Sequence, residues 1–114
     1  MTGEKRVKLR GVLPHTASWA IVGDDGGLVI ELYDFSAEAH RWLGNDVAFL
    51  LQLDAAEKDA ALARLLGGEP PPNASDRDAL LLQLIAERFD DYYAVEQWLN
   101  DQGIPFRKQF EPWA

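Results

Sequence analysis

A chain of 114 residues with 47% apolar and 26% charged side chains has the make-up of one globular domain and leaves no length for two. It contains no cysteine, which excludes a disulfide framework, a thiol nucleophile, an iron–sulfur cluster and a cysteine zinc site; with two histidines, no histidine-rich metal centre is expected either. The formal net charge of -8 sets the surface against nucleic acid, which repels an acidic protein.

The charge is segregated. Residues 1–10 carry Lys5, Arg6, Lys8 and Arg10 against Glu4, a net +3, residues 107–114 are net +1, and everything between holds -12. The basic start, MTGEKRVKLRGVLP, has no apolar run of signal-peptide length behind it. No apolar stretch approaches the length that spans a bilayer. The expected address is the cytoplasm, with no membrane partner.

In chain order, Val7 and Leu9 alternate with Arg6, Lys8 and Arg10, the period of a half-buried strand. Its cations read as a guard on a sheet edge rather than as a nucleic-acid contact. Pro14–Ser18 reads as a loop, and Trp19–Val22 as a second strand. Asp24-Asp25-Gly26-Gly27 is a hairpin turn, after which Leu28, Ile30 and Leu32 mark a third strand. Ser36 reads as the cap of a short helix, Ala37–Leu43, closed by Gly44. Val47, Phe49, Leu51 and Leu53 share one side of a fourth strand whose other side, Ala48, Leu50 and Gln52, suits a central strand covered on both faces.

Helices follow. Asp54 with Glu57 forms a capping box for a helix Ala55–Leu66, with an inner stripe of Ala55, Leu62, Leu65 and Leu66. The run Glu69-Pro70-Pro71-Pro72-Asn73-Ala74 is an extended link. Ser75 reads as the cap of a helix from Asp76 to about Phe89. Asp90 or Asp91 starts a last helix, Tyr92–Asn100, stopped by Gly103, with Val95, Trp98 and Leu99 inward. Ile104, Phe106 and Phe110 then alternate as a final strand, and Lys108 breaks its apolar side. The expected fold is α+β: an antiparallel sheet of about four to five strands with helices packed on one face. The expected domain covers 1–114, strand-rich over 1–53, helix-rich over 54–103, with the final strand at 104–112.

Chemistry is sparse. Ser18, Ser36 and Ser75 are the only serines, and none sits in a nucleophile elbow. The pairs Asp24-Asp25 and Asp90-Asp91 lack calcium-loop spacing and read as a turn and a cap. Gly67-Gly68 leaves a helix at its negative end, where phosphate is repelled. No catalytic residue, metal or cofactor is expected. The aromatic residues are more telling. Tyr92 and Tyr93 point about 100° apart on a helix, so one faces outward. With Trp113 they suggest an exposed aromatic patch of the kind that anchors partners.

The chain therefore reads as a small acidic binding or regulatory protein that neutralises a basic protein partner, as immunity proteins and antitoxins do; the likeness is one of composition only. The expected contact residues are Tyr92, Tyr93 and Trp113, with Asp76, Asp78, Asp90 and Asp91 steering the encounter. Two other classes stay open. One is a small enzyme or ligand-binding domain with a pocket between sheet and helices, using His15 or His40 with a carboxylate. The other is an accessory subunit of a larger assembly, joined through a sheet edge. A homodimer is compatible with each.

Overall fold

Strand pairing is organised around the turn at Asp24–Gly27. Gly26 adopts φ +83°, a region closed to most side chains. Its N–H donates to the Gly23 carbonyl at 3.0 Å, and the Gly23 N–H donates to the Gly27 carbonyl at 3.1 Å. Asp25 Oδ1 accepts the Gly27 N–H at 2.9 Å. The strands on either side, β2 (Thr16–Val22) and β3 (Leu28–Asp34), pair antiparallel from Val22↔Leu28 to Thr16↔Asp34. The computed structural model describes residues 5–11, 14–35 and 47–112; the short helix expected at Ala37–Leu43, with its caps Ser36 and Gly44, lies outside them.

β1 (Lys5–Lys8) lies beside β2, β4 (Val47–Leu53) beside β3, and β5 (Arg107–Pro112) beside β4. The result is a five-stranded antiparallel sheet in the order β1-β2-β3-β4-β5. The fold is α+β, with helices packed on the sheet. Among the strands, the starts of β2 and β5 differ from the sequence reading. β2 begins at Thr16, inside the expected loop, because Thr16, Ala17 and Ser18 pair with Asp34, Tyr33 and Leu32 of β3, and the Ser18 carbonyl also accepts the Leu9 N–H at 2.9 Å. β5 begins at Arg107 rather than Ile104, and Ile104 instead joins the core.

Three helices are described: α1 (Ala55–Leu66), α2 (Ala74–Arg88) and α3 (Tyr92–Gln102). The Asp54–Glu57 capping box is present, and Gly67 ends α1 in the left-handed conformation. α2 starts at Ala74, not at a Ser75 cap. The Asn73 carbonyl accepts the N–H groups of Asp76 and Arg77 at 2.9 and 3.1 Å, so the first turn closes on Asn73 and Ser75 falls within it. Asp91 caps α3 by accepting the Ala94 N–H at 3.0 Å, and α3 runs two residues past the expected end before Gly103 stops it.

Alternation along the strands places Ala20, Val22, Leu28, Ile30, Leu32, Leu51 and Leu53 on the helix-covered face. α2 crosses β1 and β2, α3 lies over β3, and α1 packs beside β4 and α2. A single buried cluster draws residues from Leu9 to Ile104, each large side chain contributing about 1.5–3 kcal/mol by leaving water. On β2 the small Ala20 and Val22 face this core, while Trp19 and Ile21 are half-buried on the other face. The α1 stripe also differs from expectation. Ala55 is exposed, and Lys58, Ala61, Leu62 and Leu65 are turned inward. Lys58 is tolerated there because its Nζ meets Asp78 Oδ1 of α2 at 2.8 Å. Among the described residues no helix is long and apolar enough to cross a membrane.

Ser18 is 1% exposed, and its Oγ accepts the Tyr92 N–H at 3.1 Å. That amide belongs to the first turn of α3, where no intrahelical carbonyl is available.

Two stability outcomes are expected. A Cβ at Gly27 would stand 2.9 Å from the Leu53 carbonyl oxygen, so Gly27→Val should destabilise by about 1–3 kcal/mol; a wild-type urea midpoint would refute this packing. Ser18→Ala strands the Tyr92 amide in the core and should lower stability by about 1–3 kcal/mol, with exchange protection of that amide lost first.

Candidate functional site

Register places two exposed aromatic side chains, Phe35 and Phe110, at one end of the sheet, Phe35 on the face that bears Tyr33 and Phe110 on the helix-covered face that bears Phe49. The terminal row is Thr16, Asp34, Val47 and Pro112, and the next row bearing the same face is Ser18, Leu32, Phe49 and Phe110. Phe35 follows β3 directly, and its N–H donates to the His15 carbonyl at 3.0 Å. The hydrogen bond to Ser18 starts α3 over this same end and so delivers Tyr93 there. Phe35, Tyr93 and Phe110 are 44%, 49% and 46% exposed, and they are the exposed large apolar side chains among the described residues. Each touches a second ring. Tyr93 meets Tyr92 edge-on at 5.2 Å, Phe110 meets Phe49 at 5.2 Å, and Phe35 lies between Tyr33 and His15 at 6.1 and 6.2 Å.

Of the expected contact residues, Tyr93 is placed at this surface and Tyr92 is not. Tyr92 is 2% exposed, since the 100° step between neighbours on a helix turns one ring into the core when the other faces out. Burial, with smaller contributions from Glu96 and Tyr93, pushes its phenol up to about 12. Trp113 lies outside the described residues. The four aspartates do not form one patch. Asp76 and Asp78 begin the 15-residue α2, and Asp90 and Asp91 follow its end, a separation of roughly 20 Å at 1.5 Å per residue. Asp78 is held by Lys58, and Asp91 is buried as the α3 cap. Asp90 is half-exposed beside Arg10 at 3.1 Å, next to the aromatic end. The sequence reading missed Phe35 and Phe110. Phe35 carried no periodic signal, and Phe110 looked like a core residue until β5 proved to be an edge strand.

His15 is exposed in the loop between β1 and β2 with φ +59°. Its ring is set edge-on against Phe35, and among the described residues no carboxylate pairs with it. His40 lies outside the described residues. Among those described, no group of three or more histidine or acidic side chains is placed to hold a metal ion.

A hollow of about 660 Å³ opens on the sheet face away from the helices, whereas the ligand-binding alternative expects its pocket between sheet and helices. Its floor is Ile21, Val29 and Leu50, its rim includes Arg6 and Arg107 from the two edge strands, and no histidine is among the described residues that line it. Arg107 Nη2 donates to Glu57 Oε1 at 2.7 Å and to the Gln52 carbonyl at 3.2 Å. The bond from Arg107, and then that from the Asp54 backbone N–H, hold the Glu57 carboxyl below its ordinary range. The same contact raises the Arg107 guanidinium further. The pair ties β5 to the start of α1.

Comparison of the chain with family models, with curated proteins and with solved structures finds no match.

A carboxyl whose folded value is lowered adds stability above its ordinary value, 4.5 for Glu57, and loses it as pH falls through the folded value. Glu57→Gln should therefore flatten the decline of the denaturation midpoint as the solution is acidified below pH 4.5. Parallel acid profiles for the two proteins would show that the pair contributes nothing.

Proposed function

We propose that this is a small, non-catalytic binding protein that neutralises a basic protein partner, met at the aromatic end of its sheet. The observation that carries the reading is the exposure of Phe35, Tyr93 and Phe110 towards one end of the sheet in a chain of net charge -8. Exposed rings of this size lose contact with water only when something covers them, and aromatic side chains dominate the residence time of complexes. The charge supports the sign of the partner. Residues 54–103, which contain the three helices, hold eleven acidic against four basic residues, a net -7. Such a field accelerates encounter with a cation-rich surface. Asp90, three residues before Tyr93 and half-exposed, is one acidic group at the start of this helix.

The ligand-binding alternative has the hollow over Ile21, Val29 and Leu50 in its favour. Among the described residues its lining holds no histidine, the side chain that acid–base chemistry near neutral pH would call for.

The test is affinity capture from the source cell followed by rate measurements. Association with the captured partner should slow as the Debye length falls from ~10 Å at 0.1 M salt to ~3 Å at 1 M. Tyr93→Ala and Phe35→Ala should act mainly on dissociation, speeding it by about tenfold or more. A salt-independent association rate, or an acidic partner, would remove the electrostatic half of the proposal. Unchanged dissociation in both variants would remove the aromatic half.

A further inference from the structure

The two edges of the sheet are chemically unlike. β1 exposes Lys5, Arg6 and Lys8, and two such strands laid antiparallel would set cation beside cation. Arg6 and Lys8 also stand over the Trp19 ring at 5.8 and 6.0 Å. This edge is guarded against pairing with a copy of itself. β5 is the other edge, and among the described strands it pairs with β4. Its six residues read Arg-Lys-Gln-Phe-Glu-Pro, with Gln109 and Phe110 exposed.

We propose that a second copy of the chain pairs with this edge, β5 against β5, antiparallel about a two-fold axis midway between the two copies of Gln109, to join two sheets into one. Keeping both helical layers on the same side of the joined sheet requires an axis perpendicular to it that sets one residue directly opposite its own copy, because a one-residue slip reverses every side chain. Centred on Lys108, that axis sets two ammonium groups opposite each other. Centred on Gln109, it sets Arg107 of each copy at the position opposite Glu111 of the other, and Lys108 opposite Phe110. Opposite charges and cation–aromatic neighbours across strands are each favourable, and the symmetry supplies both twice. Pro112, which has no N–H, falls opposite Phe106, beyond the end of β5, so its missing donor interrupts no bond within the paired strands. Arg107 remains able to serve: a guanidinium offers five N–H donors, and Nη2 alone makes the contacts to Glu57 and Gln52.

Sedimentation of the full chain from low to high micromolar concentration should show a monomer–dimer equilibrium. Glu111→Arg and Arg107→Glu each place like charges opposite one another, and each alone should weaken self-association by about tenfold or more. Mixed in equal amounts, the two variants restore both opposite-charge pairs, and a heterodimer should form. Phe110→Lys, which leaves the Arg107–Glu57 pair intact, sets ammonium against ammonium and should likewise yield monomers; thermal melts of each variant control for folding. A wild type that stays monomeric throughout, or a dimer that survives both Glu111→Arg and Phe110→Lys, overturns the inference. Tyr93 and Phe35 lie outside the paired strands, so their variants should dimerise normally whatever they do to the basic partner.

Discussion

The hydrogen bond from the Tyr92 N–H to Ser18 Oγ, at 3.1 Å in the core, sets the position of much else. A buried hydroxyl and the first amide of a helix are each costly to leave unpaired, and here each satisfies the other. The bond fixes where α3 begins above the sheet. From that start Tyr92, Val95 and Leu99 turn into the core, and Tyr93 is turned out. One turn later Glu96 reaches Lys108 of β5 at 2.7 Å. The segment before the helix is held from the other side, by the Gly11 N–H on the Asp90 carbonyl at 2.6 Å and by Arg10 on the Asp90 carboxylate. The α2–α3 corner is thus bound to β2 and to the chain that leads out of β1.

Much of the fold was legible in the sequence because local signals agreed with the global packing. The Asp-Gly turn, the capping box at Asp54 and the glycines at 67 and 103 are short-range devices, and each acts as its chemistry dictates. Where the reading failed, a contact from far along the chain had decided the matter. Lys58 is inside because Asp78, twenty residues on, makes it bearable. Lys108, an apparent break in an apolar side, faces Glu96. Ser18 was assigned to a loop because nothing near it reveals the amide it must accept. The candidate surface was read only in part, and for the same reason. That one of Tyr92 and Tyr93 faces outward follows from helix geometry, but which one depends on the tether to Ser18. Phe110 is exposed because β5 lies at an edge, and no local pattern states which strands are edges.

The acidic surplus is also less free than composition implies. Asp54, Asp78 and Asp91 cap helices or hold a buried lysine, and Glu57 and Glu96 brace the two cations of β5. Carboxylates near the strand ends thus position structure first. The long-range field, which depends on net charge rather than on individual pairs, persists around them.

The placement of β5 has a consequence for the chain as it is made. β1 to β4 pair with their sequence neighbours, but β4 must wait for β5, which follows 53 residues later, after all three helices. At about 5–20 residues per second of synthesis, that interval lasts roughly 3–10 s. Throughout it the open edge is β4, whose seven residues, Val-Ala-Phe-Leu-Leu-Gln-Leu, carry no charge, glycine or proline. A segment of that kind, left unpaired, recruits other strands. The nascent molecule is therefore most adhesive just before its last strand arrives, and the capped, quickly formed α1 that directly follows β4 is the first element able to shelter it.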